Sequence, residues 1–414
     1  MLCTLTLVLC LALLPNSQAT GILQLEMFGS STPTKISGVR DGSNFYLASP
    51  DKALKLSKIT ITSNGQSTTL DKLLGSFDDQ GFSKGWPVNS DLTIATTNDA
   101  TTTQSLEGYF FISTPDMTKD PNFLVYVVND KAVSIDRSTN TETTLVLLNL
   151  RVTKQTTDPV YKSFYNTRVE NFVQPKTTKL FFYHDTPDDG YTDPTYKETV
   201  MKMIFQNPAS LLPTGNAELD TVFFDNIEPV QFSLMAWHIR AFGGIKFDVS
   251  LNWVDQSTYT TTKETTTGYT MSQLFTYNTT VNFKNQPNPN GIIGLLVSTE
   301  LLADVNVTLC DEIDCAIEKL ISKQSVAADY SQRSMNATAM YIEPSVLASG
   351  TYYIQYFRIE GSHYPAATTG TTSPTNPTNT SPTTPKSVES TTKSSATTLT
   401  TLSLFIQFLY FLRV

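Results

Sequence analysis

The chain has 414 residues, a formal net charge of −9, 40% apolar residues and four cysteines. Such a length supports two or more hydrophobic cores, and so few cysteines exclude a disulfide scaffold. An acidic chain without Lys/Arg clusters excludes nucleic acid as a partner, because phosphate binding needs localised positive charge.

Leu2 to Leu14 (LCTLTLVLCLALL) is an apolar run of signal-peptide length, and Ser17-Gln18-Ala19 supplies small residues at both positions read by signal peptidase. Residues 1–19 are therefore expected to be removed after Ala19, the alternative being an uncleaved anchor. Cys3 and Cys10 leave with this segment, so the mature chain keeps Cys310 and Cys315. In an oxidising compartment these two are expected to pair, closing a small loop that contributes roughly 2 kcal/mol.

Short runs of aromatic and β-branched residues separated by Gly, Pro, Asn and Asp then predict strands throughout the body. Leu56 to Thr62 followed by Asn64-Gly65 predicts a hairpin, since Asn-Gly accepts the positive φ angles of a type I′ turn. Gly108 to Ser113 (GYFFIS), Phe123 to Val128 (FLVYVV) and Thr143 to Val152 (TTLVLLNLRV) read as further strands, as do Thr177 to His184, Thr199 to Phe205 and Val222 to Phe224. In Ile245 to Trp253, Ile245, Phe247, Val249 and Leu251 alternate with Lys246, Asp248, Ser250 and Asn252, which predicts one buried and one wet face. The Thr-rich passage Ser257 to Thr280 reads as strand and loop, because its tyrosines, Leu274 and Phe275 exceed what a linker needs. Gly291 to Val307 and Thr351 to Ile359 complete the strands; in the latter, Tyr352 and Tyr356 share one face and Tyr353 takes the other. Between them Ile313, Ile317, Leu320 and Ile321 follow helical spacing behind Asp311, Glu312 and Asp314, and predict the one helix of the chain, with a tight Cys310–Cys315 loop as the alternative.

The expected architecture is all-β: two or more β-sandwich domains followed by a disordered Thr/Ser/Pro-rich stalk. Residues 20–155 form the N-terminal sandwich in this reading, residues 156–365 the C-terminal region and residues 366–394 an O-glycosylated stalk. Residues 395–414 end in an apolar run, Leu402 to Val414, that is shorter than the roughly 20 residues a spanning helix needs. Small residues (Ser394, Ser395, Ala396), a polar spacer and this tail have the order of a glycosylphosphatidylinositol signal, so Ser394 is the expected lipid attachment residue and 395–414 the discarded tail. Sequons at Asn278, Asn306, Asn336 and Asn379 predict N-glycans on the membrane-proximal part.

Chemistry is sparse. Of the three histidines, His238 sits among apolar neighbours and reads as a core or rim residue. His184-Asp185-Thr186-Pro187-Asp188-Asp189-Gly190-Tyr191-Thr192-Asp193 gathers four carboxylates, an oxygen density that suits calcium. Counted from Asp185, Pro187 and Tyr196 occupy two required EF-hand ligand positions, so a solvated turn is the favoured reading. No zinc helix, P-loop or dinucleotide glycine pattern occurs. No catalytic, metal or cofactor residue is assigned. Trp86, Trp237 and Trp253 are expected in the interior.

The segments Phe223-Phe224-Asp225-Asn226-Ile227-Glu228-Pro229-Val230 and Ala241-Phe242-Gly243-Gly244-Ile245-Lys246-Phe247-Asp248-Val249, with the signal peptide, β-rich body, stalk and anchor signal, resemble nematode secreted and surface proteins carrying CUB-like domains. The resemblance implies a jelly-roll sandwich and a role in innate defence against microbes. CUB domains proper use disulfides and often an acidic calcium site, whereas Thr20 to Leu309 contains no cysteine. The expected protein is a lipid-anchored, non-enzymatic cell-surface binding protein for an extracellular protein or glycan. The alternatives are a secreted or anchored hydrolase with dispersed catalytic residues and a structural surface-coat glycoprotein.

Overall fold

The computed structural model describes residues 21–28, 32–129, 131–153, 163–193, 202–210, 221–252, 254–271, 279–284, 292–301, 305–310, 315–320, 326–334, 339–344 and 350–359. All of them lie in the first of two units, Met1–Ala366 and Ala367–Val414. The expected signal segment, stalk and anchor tail fall outside the described residues.

Among the described residues, six principal sheets make three sandwiches. In the first sandwich, sheet I has the order Thr34–Lys35, Thr93–Thr96, Ile59–Ser63, Gln66–Thr69, and sheet II the order Gly21–Gln24, Tyr109–Ile112, Ser43–Ala48, Trp86–Val88. In the second, sheet III runs Met203–Asn207, Lys179–His184, Ala236–Phe242, Glu142–Asn149, Phe123–Val128, opposite sheet IV: Val133–Arg137, Ile245–Ser250, Thr167–Val173, Val230–Phe232. In the third, sheet V runs Thr266–Met271, Gly350–Ile359, Ile292–Leu301, Val326–Ser334, and sheet VI runs Thr258–Thr260, Thr279–Asn282, Ala339–Pro344, Val305–Cys310, Cys315–Leu320. The pairings are antiparallel apart from Phe123–Val128 beside Glu142–Asn149 and Thr258–Thr260 beside Thr279–Asn282.

Hydrophobic patterning explains which sheets lie inside. Ile59 and Ile61 are buried while Thr60 and Thr62 are half-exposed, and Ile245, Phe247 and Val249 are buried while Lys246 and Asp248 are half-exposed. These alternating strands belong to the outer sheets I and IV. Sheets II and III are apolar on both faces. Phe45, Leu47, Phe110 and Ile112 enter the core of the first sandwich, whereas Tyr46, Ala48, Tyr109 and Phe111 pack against Phe123, Val125, Val127, Val146 and Leu148 of sheet III. The other face of sheet III, with Tyr126, Val128, Leu145 and Leu147, enters the core of the second sandwich around Trp237. The Trp237 ring lies 4.0 Å from Phe232 and 5.4 Å, edge-on, from Phe182. The first two sandwiches are thus a four-layer stack, and full burial of a side chain such as Phe111 contributes roughly 2–3 kcal/mol.

Strand Gly350–Ile359 follows the same two-faced rule. Tyr352, Ile354 and Tyr356 fill the third core with Val281, Leu295 and Met340, while Tyr353 joins the second core with Tyr269 and Met271. The Asn64-Gly65 turn has φ values of 51° and 70°, as a type I′ turn requires. The Gly243-Gly244 turn carries the chain from sheet III to sheet IV: Gly243 has φ of 123°, and a Cβ on Gly244 would lie 2.1 Å from the Ser138 carbonyl oxygen.

Two expectations meet a different structure. Cys315–Leu320, placed in a helix by its apolar spacing, is a strand paired antiparallel with Val305–Cys310. So short an apolar run satisfies both periods, and pairing with a neighbouring strand decides between them. The 155/156 boundary also divides sheets III and IV, because Phe123–Val128, Val133–Arg137 and Glu142–Asn149 pair among themselves or with strands beyond 156. Trp253 lies outside the described residues.

Candidate functional site

The acidic turn begins where strand Lys179–His184 leaves sheet III. Asp185 takes a left-handed φ of 62° and Gly190 one of 77°, which folds the segment back on the sheet. His184 Nδ1 lies 3.1 Å from Asp185 Oδ2, and its ring stacks on Tyr353 at 5.3 Å. His238 is fully buried; its Nδ1–H donates to the Asp185 carbonyl oxygen at 2.7 Å and its ring stacks on Tyr183 at 4.9 Å. Burial pushes the Asp185 carboxyl up, but the hydrogen bond from His184 and the nearby Lys202 ammonium and imidazoles outweigh it and hold the group below the usual carboxylate value.

The rest of the turn is a bracket between sandwiches. Asp188 pairs with Lys202, and Asp189 accepts from Arg40, in the first sandwich, at 2.6 Å. Tyr191 is buried, and its hydroxyl donates to Asp120 Oδ2 at 2.7 Å. Burial, then the bond to Asp120 and its charge, push the Tyr191 hydroxyl well up. The Arg240 guanidinium covers both the Tyr191 ring at 5.3 Å and the Phe242 ring at 5.0 Å, and pairs with Glu142 at 3.6 Å. The segment read from sequence as a solvated turn is instead docked, with Asp188 and Asp189 bound to cations. Among the described residues no three His, Cys, Asp or Glu side chains are placed to hold a metal ion. Tyr191→Phe is expected to cost about 1–2 kcal/mol, because the Asp120 carboxylate loses a partly buried donor. A lower denaturant midpoint at unchanged m-value reports that loss, and an unchanged midpoint refutes it.

Three buried polar joints lock the sandwiches together. In the first, the Tyr109 hydroxyl is shared between the carbonyl oxygens of Asn149 at 2.9 Å and Met235 at 2.5 Å. Asn149 Nδ2 donates to Leu234 O at 2.6 Å, Thr167 donates to Asn149 Oδ1, and Trp237 Nε1 donates to Thr167 Oγ1 at 3.2 Å. In the second, the Gln355 carboxamide of sheet V imitates a strand neighbour for edge residue Gln206 of sheet III. Its Oε1 accepts from Gln206 N at 2.9 Å, and its Nε2 donates to Gln206 O at 2.8 Å and to Thr267 Oγ1 at 2.9 Å. The outward N–H and C=O of Gln206 on this sheet edge are thereby covered.

The third joint is Glu228, which is 0% exposed. Its Oε1 accepts from Asn226 Nδ2 at 3.1 Å, Thr262 N at 2.9 Å, Thr262 Oγ1 at 3.0 Å and Thr266 Oγ1 at 2.9 Å. Its Oε2 accepts from the Tyr259 hydroxyl at 2.6 Å. All five donors are neutral, so hydrogen bonds rather than a counter-ion hold the carboxylate. Burial first, then the hydrogen bond to Glu228 and its charge, push the Tyr259 hydroxyl well up. The backbone completes the join: Glu228 N donates to Thr267 O at 2.8 Å and Thr267 N to Asn226 O at 3.2 Å.

Of the residues singled out in the sequence, Cys310 and Cys315 are direct Cα partners across their hairpin. Asn306 lies in strand Val305–Cys310, opposite Lys319 and Glu343. Asn278, Asn336, Asn379 and Ser394 fall outside the described residues. Sequence reasoning missed Tyr109, Gln355 and Glu228, whose partners are 31 to 149 residues away for the contacts that cross between sandwiches. The available hint was an acid set between apolar neighbours, Ile227-Glu228-Pro229-Val230.

No helix among the described residues is long and apolar enough to cross a membrane. A comparison with curated proteins returns no match. Among solved structures, one described as "The Triple Jelly Roll Fold and Turret Assembly in an Archaeal Virus" is 10% identical over 80% of this chain and 82% of that chain, with a TM-score of 0.18. At that score the likeness bears on neither the fold nor the role of this chain. A family model described as a transmembrane glycoprotein matches residues 40–409, which takes in the sandwiches apart from the first two strands, Gly21–Gln24 and Thr34–Lys35, together with the Thr/Ser/Pro tract and most of the apolar terminus. The chain belongs to this transmembrane glycoprotein family.

Proposed function

We propose that the protein is a non-enzymatic structural glycoprotein of the cell surface, a welded three-sandwich body carried on the Thr/Ser/Pro stalk and held in the membrane by a lipid at Ser394. The observation that supports this reading is the use of buried polar groups as joints: Tyr109, Gln355 and Glu228 each spend their hydrogen bonds on fixing one sandwich to the next. A body so joined suits display and contact. Family membership supports a glycoprotein associated with a membrane, and the sequons assign the sugars to Asn278, Asn306, Asn336 and Asn379. Cys310 and Cys315 form a disulfide in this reading; directly opposed residues of an antiparallel pair have Cα atoms about 4.5–5.5 Å apart, inside the range a disulfide spans.

One experiment on intact cells tests both parts. Phosphatidylinositol-specific phospholipase is expected to release most of the surface pool, and limited proteolysis of the released protein is expected to trim the stalk and leave the three sandwiches as one fragment. Retention on the cell after cleavage of control anchored proteins overturns the lipid anchor in favour of a spanning tail. Separation into individual sandwiches overturns the welded body.

A further inference from the structure

A cleft of 260 Å³ opens where the first and second sandwiches meet. One wall is the segment after Leu70–Lys72, where Leu73 and Leu74 pack against the first core, and the other includes Leu150, which packs against the second. Phe77, 38% exposed, stands at the rim. Apolar side chains from two cores thus face one concavity, and ligand sites concentrate at such junctions.

The polar lining is selective in charge. Lys84 is its one charged residue, and no Asp or Glu lines the cleft although the chain is net acidic. The Lys84 ammonium has no hydrogen bond or ion pair among the described residues. The hydroxyls of Ser76 and Ser83, on the same wall, are likewise without side-chain hydrogen bonds. A cation and two hydroxyls above an apolar floor are complementary to a carboxylate that carries an apolar tail.

We propose that this cleft binds a free medium-chain fatty acid, its tail against Leu73, Leu74 and Leu150 and its carboxylate at Lys84. Size sets the chain length. A cavity of about 150 Å³ lined by Leu, Ile and Phe takes benzene, so the volume here suits an eight-carbon chain and is too small for a two-tailed lipid. The solvent-facing rim leaves the head within reach of the Lys84 ammonium, whose screening limits its share of the affinity.

The test uses the full chain in phosphatidylcholine nanodiscs, with empty nanodiscs as the blank, titrated with carbon-13-labelled octanoate and octanol and followed by NMR. Octanoate is expected to give a saturable signal at one site with a dissociation constant on the order of 0.1 mM, and octanol is expected to bind about fivefold more weakly. Lys84→Gln, at an exposed position, is expected to weaken octanoate about fivefold and leave octanol unchanged. Phe77→Asp places a second carboxylate at the rim and is expected to weaken octanoate further while leaving the melting curve in place. A signal no greater than that of empty discs, or octanoate binding that Lys84→Gln leaves unchanged, overturns the proposal.

Discussion

Glu228→Ala is expected to lower the stability of the join between the second and third sandwiches by about 3 kcal/mol. The carboxylate accepts five hydrogen bonds in a site that water does not reach. Truncation leaves the Thr262 N–H with no acceptor, and a buried donor without a partner costs about 1–3 kcal/mol; the Asn226 amide loses one acceptor but keeps Thr266 Oγ1 at 2.7 Å. The Thr262, Thr266 and Tyr259 hydroxyls can rotate towards other acceptors, which keeps the loss below the sum. Glu228→Gln separates shape from charge. Its carbonyl oxygen keeps the four donors on Oε1, and the Tyr259 hydroxyl can turn to accept from the new amide. Relief of a buried charge offsets part of what remains, so about 1 kcal/mol is expected. Calorimetry reads the effect as a lower first transition, since a chain of several sandwiches need not unfold in one step. If alanine and glutamine cost the same, the charge rather than the set of acceptors holds the join. If alanine costs nothing, the join carries no stability.

Cooperative unfolding between about pH 10 and pH 12 is the second large effect. Burial pushes the hydroxyls of Tyr109, Tyr269 and Tyr356 well up, raises that of Tyr191, and raises Tyr352 to about 12. In the unfolded chain these groups titrate near 10. Their folded pKa values lie above their unfolded ones, so the stability they contribute is complete below pH 10 and is lost as pH rises towards the folded values. Each tyrosine in that window removes about 1.4 kcal/mol per pH unit, and five together remove about 7 kcal/mol per unit, comparable with the whole stability of a domain. Tyrosinate absorbance and near-ultraviolet circular dichroism are expected to change together in one steep step. A gradual rise in absorbance centred near pH 10, with native dichroism retained, would show instead that water reaches these rings and would defeat the prediction.

The strands were legible because their patterns carry two different messages. Alternation in Ile59–Ser63 and Ile245–Ser250 marks outer sheets, while the unbroken runs FLVYVV and YFFI mark sheets covered on both sides. The second message was read only as a strand, so the four-layer stack was missed and the division at 155/156 cut through two sheets. Parallel pairing of Phe123–Val128 with Glu142–Asn149 has no local signature either. The assigned helix failed because Cys315–Leu320 is too short for spacing to discriminate; its partner strand supplies the decision. The segments that carried the family resemblance have identifiable structural tasks. Asn226-Ile227-Glu228 forms the join to the third sandwich, and Gly243-Gly244 turns the chain from one sheet to the other. The acidic turn was visible as a cluster of carboxylates, but its cation Arg40 lies 149 residues from Asp189 and no spacing rule connects them.

The back face of sheet II also imposes an order on biosynthesis. Tyr46, Tyr109 and Phe111 leave the ribosome well before the residues that cover them, the last of which is Ala236. At about 5–20 residues per second this apolar face spends on the order of ten seconds uncovered. The shortest nascent chain that can bury it completely is therefore set by Ala236, and every shorter one presents a sticky surface to the chaperones that meet it.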